Sequence, residues 1–177
     1  MTDDPLTTDG TRASGTRASG ITIDREHRTL HVARTYPVPI ERVWHAWTDP
    51  VAIAAWWGPH EWTTIVRAMD VRPGGEWRYE LGPDDGSIES SHSIATYRRV
   101  EPNALLAYVD AFADATWTPT GDAGWDTEVR FTDVAGGTVV DIVTVFPDES
   151  EMRRAVELGM AEGYAEALER LSGTLER

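Results

Sequence analysis

The sequence predicts an α+β fold: a curved antiparallel sheet packed against one long C-terminal helix, with two short helices after the first strand. Three observations carry that reading. Apolar and polar residues alternate in successive segments between Trp62 and Phe146, and the turns between them are too short for helical crossovers. The last stretch, from Glu149 onward, instead repeats its apolar positions every three to four residues. Between the opening strand and this meander, Pro37, Pro39 and Pro50 punctuate two short apolar-striped segments.

Residues 1–20 read as a disordered tail. TRASG occurs twice in tandem there, small and polar with nothing to bury. Residues 21–177 then form a single domain. Ile21 to Tyr36 reads as strand with a polar break at Glu26–Arg28, ended by Pro37. Ile40, Val43, Trp44 and Trp47 follow at i, i+3, i+4 and i+7, one apolar stripe of a helix. Asp49 is an N-cap with Pro50 at the first helical position, and Gly58-Pro59 stops the second helix after Trp56 and Trp57. Two adjacent helical residues point about 100° apart, so Trp56 is expected to face the core and its neighbour the cavity mouth, a partner or solvent.

Strands are then expected at Trp62–Val71, Glu76–Leu81, Ser87–Val100, Ala104–Phe112, Trp125–Thr132 and Thr138–Phe146. The segment from Ala113 to Gly124, with Trp117, is expected to be a loop that covers a cavity. Asp148 caps the closing helix and Glu151 takes the capping-box position. A rod of roughly 27 residues at about 1.5 Å each spans some 40 Å, enough to cross a sheet. Gly159 and Gly163 each cost such a helix about 1 kcal/mol relative to alanine, so close approach or space for a guest must justify them.

Composition narrows the chemistry. Cysteine is absent, which removes disulfides, thiolate nucleophiles and cysteine-ligated metals. All sixteen basic residues are arginine, so Schiff-base lysines and the P-loop lysine are excluded as well. A net charge of −14 opposes phosphate backbones and anionic lipid, which argues against nucleic-acid and membrane partners. With no basic-then-apolar leader and no long apolar run, a cytoplasmic location is expected. No metal-binding pattern and no cofactor motif is present, so neither is expected.

The stretches TYPVPIERVWHAWTDPVAIAAWWGP, MDVRPGGEWRYE and EGYAEALERL together resemble the START-like (SRPBCC) superfamily. More narrowly they look like its branch named after the C-terminal domain of the activator of Hsp90 ATPase, over about residues 28 to 173. The resemblance implies a helix-grip, Bet v 1-like fold, with the sheet wrapped around the long helix and a cavity between them. Tyr164 stands where the family pattern has tryptophan after the glycine, which keeps a flat aromatic.

The expected ligand-facing set is Trp57, Trp77, Tyr79, His92, Tyr108, Phe112, Phe131, Ile142, Met160 and Tyr164. Each alone is explained by core packing; together they bring hydroxyls and indoles that need partners if buried. His92 is the one catalytic candidate, a general base if it points inward among Ser90, Ser91 and Ser93, and part of a polar outer face if it does not. Arg67, Asp70 and Arg72 suggest either a carboxylate clamp or ion pairs that brace a hairpin. The function expected is binding of a small, mostly apolar or aromatic ligand. The alternatives are an enzyme of polyketide cyclase/aromatase or hydrolase type in the same cavity, and a co-chaperone-like interaction module. A homodimer is a further expectation.

Overall fold

The computed structural model describes residues 19–121 and 123–177. The tail expected at residues 1–20 lies outside them except for Ser19 and Gly20, which begin the first strand, β1 (Ser19–Asp24). What reads as one interrupted strand is a hairpin, because the polar break turns the chain back: β1 pairs antiparallel with β2 (Thr29–Tyr36). The alternation in β1 faces solvent, with Ile21 and Ile23 exposed at 42% and 39%.

Helix α1 (Ile40–Thr48) buries Val43, Ala46 and Trp47. Asp49 caps α2 (Pro50–Ala54), its carboxylate accepting the N–H groups of Val51 and Ala52. The meander follows as β3 (Trp62–Met69), β4 (Glu76–Pro83), β5 (Ser91–Glu101), β6 (Leu105–Ala113), β7 (Trp125–Val134) and β8 (Gly137–Val145). All pairings are antiparallel. The order across the eight-stranded sheet is β1-β2-β8-β7-β6-β5-β4-β3, so the opening hairpin joins the last strand of the meander.

The closing helix is not one rod. Asp148 caps α3 (Glu149–Glu157) through the Glu151 N–H, as its sequence position predicts. The helix then breaks, and α4 (Met160–Leu175) begins after Gly159. Gly159 adopts φ +79°, a left-handed conformation that glycine reaches without steric cost, and the i→i−4 ladder cannot run through it. That break answers the cost of a mid-helix glycine at this position.

The tryptophan pair is buried together, at 0% and 7% exposure, with Trp56 in the core and Trp57 turned to a cavity rather than to solvent. The regular helix ends at Ala54, so the 100° rule no longer governs them, and Gly58 at φ +100° turns the chain away behind the pair. Trp56 donates its Nε1–H to the Ala46 carbonyl at 2.9 Å. Trp47 meets Trp56, Trp57 and Phe131 edge to face, with centroids 4.9, 5.8 and 5.9 Å apart. Arg170 of α4 fastens this corner by donating to the carbonyls of Ala55, Gly58, Pro59 and Trp62.

Candidate functional site

The inner face of the sheet is set by period-two alternation. On β4, Trp77, Tyr79 and Leu81 point in, opposite Ala95, Ser93 and Ser91 of β5. On β6 the inward row is Leu106, Tyr108, Asp110 and Phe112. Where α3 gives way to α4, helix and sheet do not meet, and a cavity of about 350 Å³ opens between them. Trp57 to Pro59 close one end, Tyr79, Asp110 and Phe112 form the sheet wall, and Met160, Gly163 and Tyr164 form the helix wall. Ile88 and Leu158, exposed at 59% and 63%, flank the mouth. A Cβ built on Gly163 would find its nearest neighbour, Pro59 Cγ, only at 3.9 Å, so this glycine leaves space on the cavity side.

Asp110 is the chemical centre of the cavity. The Tyr79 hydroxyl donates to its Oδ2 at 3.2 Å. Its Oδ1 is buried without a hydrogen-bond partner. Burial pushes the carboxyl up to about 7, against the opposing pull of the Tyr79 hydroxyl and the Ala111 N–H. Burial and the nearby Asp110 charge together hold the Tyr79 phenol well above its usual range. The Tyr108 and Tyr164 phenols are raised by burial first, and Tyr164 neighbours Thr127 and Thr144 deeper in the interior. Glu89 and Asp110 are the charged side chains among the described residues lining the cavity.

A smaller recess of about 230 Å³ adjoins, sharing Ser93, Asp110, Phe112 and Trp125. Asp148, Glu151 and Arg154 border it. The Arg154 guanidinium lies 3.5 Å from Glu151 and 5.9 Å from the Phe112 ring centre, and Trp125 donates its Nε1–H to Glu151 at 3.2 Å.

Of the residues expected at a ligand, Trp57, Tyr79, Phe112, Met160 and Tyr164 line the cavity. Trp77, Tyr108, Phe131 and Ile142 are packed inside the core instead. Trp77 stacks behind Tyr79 with centroids 4.3 Å apart, and Phe131 is covered by Trp44 and Trp47 of α1. His92 is not an internal base. It pairs across the strands with Glu80, on the face opposite Tyr79 and Leu81, with its Nε2 3.7 Å from the Glu80 carboxylate. Trp117 packs against that same outer side, ring centres 5.0 Å apart, so it does not cover the cavity. Among the described residues of its loop, Thr120, Gly121 and Ala123 border the smaller recess.

Arg67 pairs with Glu80 and Arg72 with Asp70, both at the exposed hairpin surface, which favours the bracing role over a clamp. Asp110 was legible in principle: it sits between two residues already assigned inward, at the right parity. Among the described residues, no cluster of histidines and carboxylates could hold a metal ion. No helix among them is long and apolar enough to cross a membrane.

Residues 37–176 match the family model described as activator of Hsp90 ATPase homolog 1-like protein. No curated protein sequence matches. Among solved structures, a protein from Arthrobacter aurescens is similar at 26% identity and TM-score 0.83, over 90% of this chain and 92% of its own. Protein Ms6760 from Mycobacterium smegmatis follows at 24% and 0.82, over 89% and 97%. An activator-of-Hsp90-ATPase-1-like protein from Aeromonas hydrophila matches at 25% and 0.65, over 84% and 92%.

Proposed function

This chain belongs to the activator of Hsp90 ATPase homolog 1-like family, and on that premise we propose that it binds a small, mostly apolar molecule between sheet and C-terminal helices. The observation that carries the reading is the cavity itself: about 350 Å³, walled by aromatic rings, with a buried carboxyl as its polar point. Its volume lies in the range of small-molecule sites, and few polar groups set against many apolar ones is how such sites fix orientation. Native mass spectrometry of freshly purified protein is expected to retain a co-purifying small molecule. In parallel, the neutral apolar dye N-phenyl-1-naphthylamine should brighten on binding, and Gly163→Leu, which fills the helix wall, should abolish that signal while circular dichroism stays unchanged. Dye binding indifferent to Gly163→Leu would place the ligand elsewhere.

A second reading, catalysis by proton transfer, draws on Asp110 alone. A buried carboxyl raised to about 7 exchanges its proton at neutral pH, as a general acid or base must. A reaction of this kind would lose its rate in Asp110→Asn and show an apparent pKa near 7 in the parent protein.

A further inference from the structure

The cavity wall combines two features that a purely apolar guest does not need. The first is Asp110, whose Oδ1 is buried without a donor and whose carboxyl forms no salt bridge with any described arginine or histidine. The second is the density of electron-rich rings: Trp57, Trp62, Tyr79, Phe112, Trp125 and Tyr164 all line the same space. Ring faces carry negative quadrupole density and attract ammonium groups within about 6 Å. Both charged residues in the described lining, Glu89 and Asp110, are acidic, so an anionic guest would meet repulsion and no cation. The net charge of −14 extends the same bias to the approach of ligands from solution.

The geometry points to an organic cation, a primary or substituted amine on an aryl or alkyl body, as the guest, with its ammonium against Asp110 Oδ1 and its body among the surrounding rings. This rests on the ligand-binding reading and names the chemical class that reading leaves open. An ammonium satisfies the orphaned oxygen with a charge-assisted hydrogen bond and compensates a carboxylate that burial disfavours. Binding is therefore coupled to ionisation. The cation selects the deprotonated carboxyl, which burial confines to pH above about 7, so affinity should rise with pH. The groups facing Asp110 do not obscure this. Tyr79, Tyr97, Tyr108 and Tyr164 are all raised above the ordinary phenol range. Beyond them stand Glu89 on the larger cavity and Asp148, Glu151 and Arg154 on the smaller recess, and no described histidine lines either space.

Isothermal titration calorimetry with three probes sharing one body tests this: 2-(1-naphthyl)ethylamine, 2-(1-naphthyl)ethanol and 1-naphthylacetate, on the parent protein and Asp110→Asn, at pH 8 and pH 5.5. The amine should bind the parent at least tenfold more tightly than the alcohol at pH 8. That advantage should shrink roughly tenfold or more at pH 5.5, as a carboxyl titrating near 7 takes up its proton. Asp110→Asn should bind amine and alcohol alike at both pH values, and its retained alcohol binding shows that the variant is folded. Alcohol or acetate binding as tightly as the amine overturns the cation assignment and leaves the cavity reading standing. So does an amine preference that survives in Asp110→Asn. Failure of all three probes overturns both.

Discussion

The two ends of the sheet–helix interface are equally rich in aromatic residues and end up opposite in kind. Under α1 and α2, Trp47 meets Trp56 and Phe131 edge to face, and all three are buried in one core cluster with Leu168 and Leu171. At the junction of α3 and α4, Tyr79, Phe112, Trp125 and Tyr164 surround a cavity. Residue type does not separate the ends. Coverage does: the first has two extra helices pressed onto it, while the second is roofed by a helix pair broken at Gly159. Ring-rich sequence therefore builds either a solid core or a binding wall, according to what lies above it.

The strongest way to break that contrast is truncation. Trp56→Ala should cost about 3–5 kcal/mol, the range for removing a large side chain from a packed core, read as a lowered urea midpoint. Met160→Ala, on the cavity wall, should cost under about 1 kcal/mol because its space is already incompletely filled. Equal losses at both sites would show that the ends pack alike.

Asp110 sharpens the contrast through pH. The folded carboxyl keeps its proton up to about 7, whereas its ordinary value is 3.8, so folding takes up a proton between those values. Its contribution to stability is fully present below the lower value and is lost as pH rises through the upper one. Asp110→Asn should escape that loss, gaining on the order of 3 kcal/mol over the parent at pH 8 and little at pH 4. Parallel stability–pH curves for the two proteins would contradict it.

Smaller effects follow at the seam. Arg170→Met leaves four carbonyls of the tryptophan corner without their common donor and should cost about 2 kcal/mol, with weaker ligand binding because that corner closes the cavity. Gly163→Ala should do the reverse, adding about 1 kcal/mol by helix propensity, since the new methyl group meets nothing closer than 3.9 Å. A destabilised Gly163→Ala would mean that the helix wall has no slack.

The strands, the caps at Asp49 and Asp148, and the sheet–helix architecture were legible because their signals are local: parity, turn residues and side chains that reach their own backbone. The location of the void was not, because it depends on which helices cover which rings. Asp110 and Asp141 show the limit most clearly. Each is a lone acid inside an apolar strand, where the outward face is the cheaper place for a carboxylate. Asp141 is outward, 2.7 Å from His31 Nε2, between the buried Val140 and Ile142. Asp110 shares the parity of Tyr108 and Phe112 and points in. Parity distinguishes the two, and aversion to burying a carboxylate hides it. The helix break was missed for a related reason: the apolar repeat runs on past Gly159 undisturbed, and only the backbone angle there records the interruption.

The strand order carries a consequence for how the chain reaches this shape. His31 pairs with Val143, and the Tyr36 hydroxyl bonds to the Leu168 carbonyl, 132 residues further along. Neither contact can form until the chain has been made through Val143 and Leu168 respectively. The meander can assemble from neighbours in seconds or less, but the opening hairpin must wait, with its docking edge on β8 unpaired. Such distant closures slow folding, so the chain is most open to misassociation in the interval before β2 docks on β8.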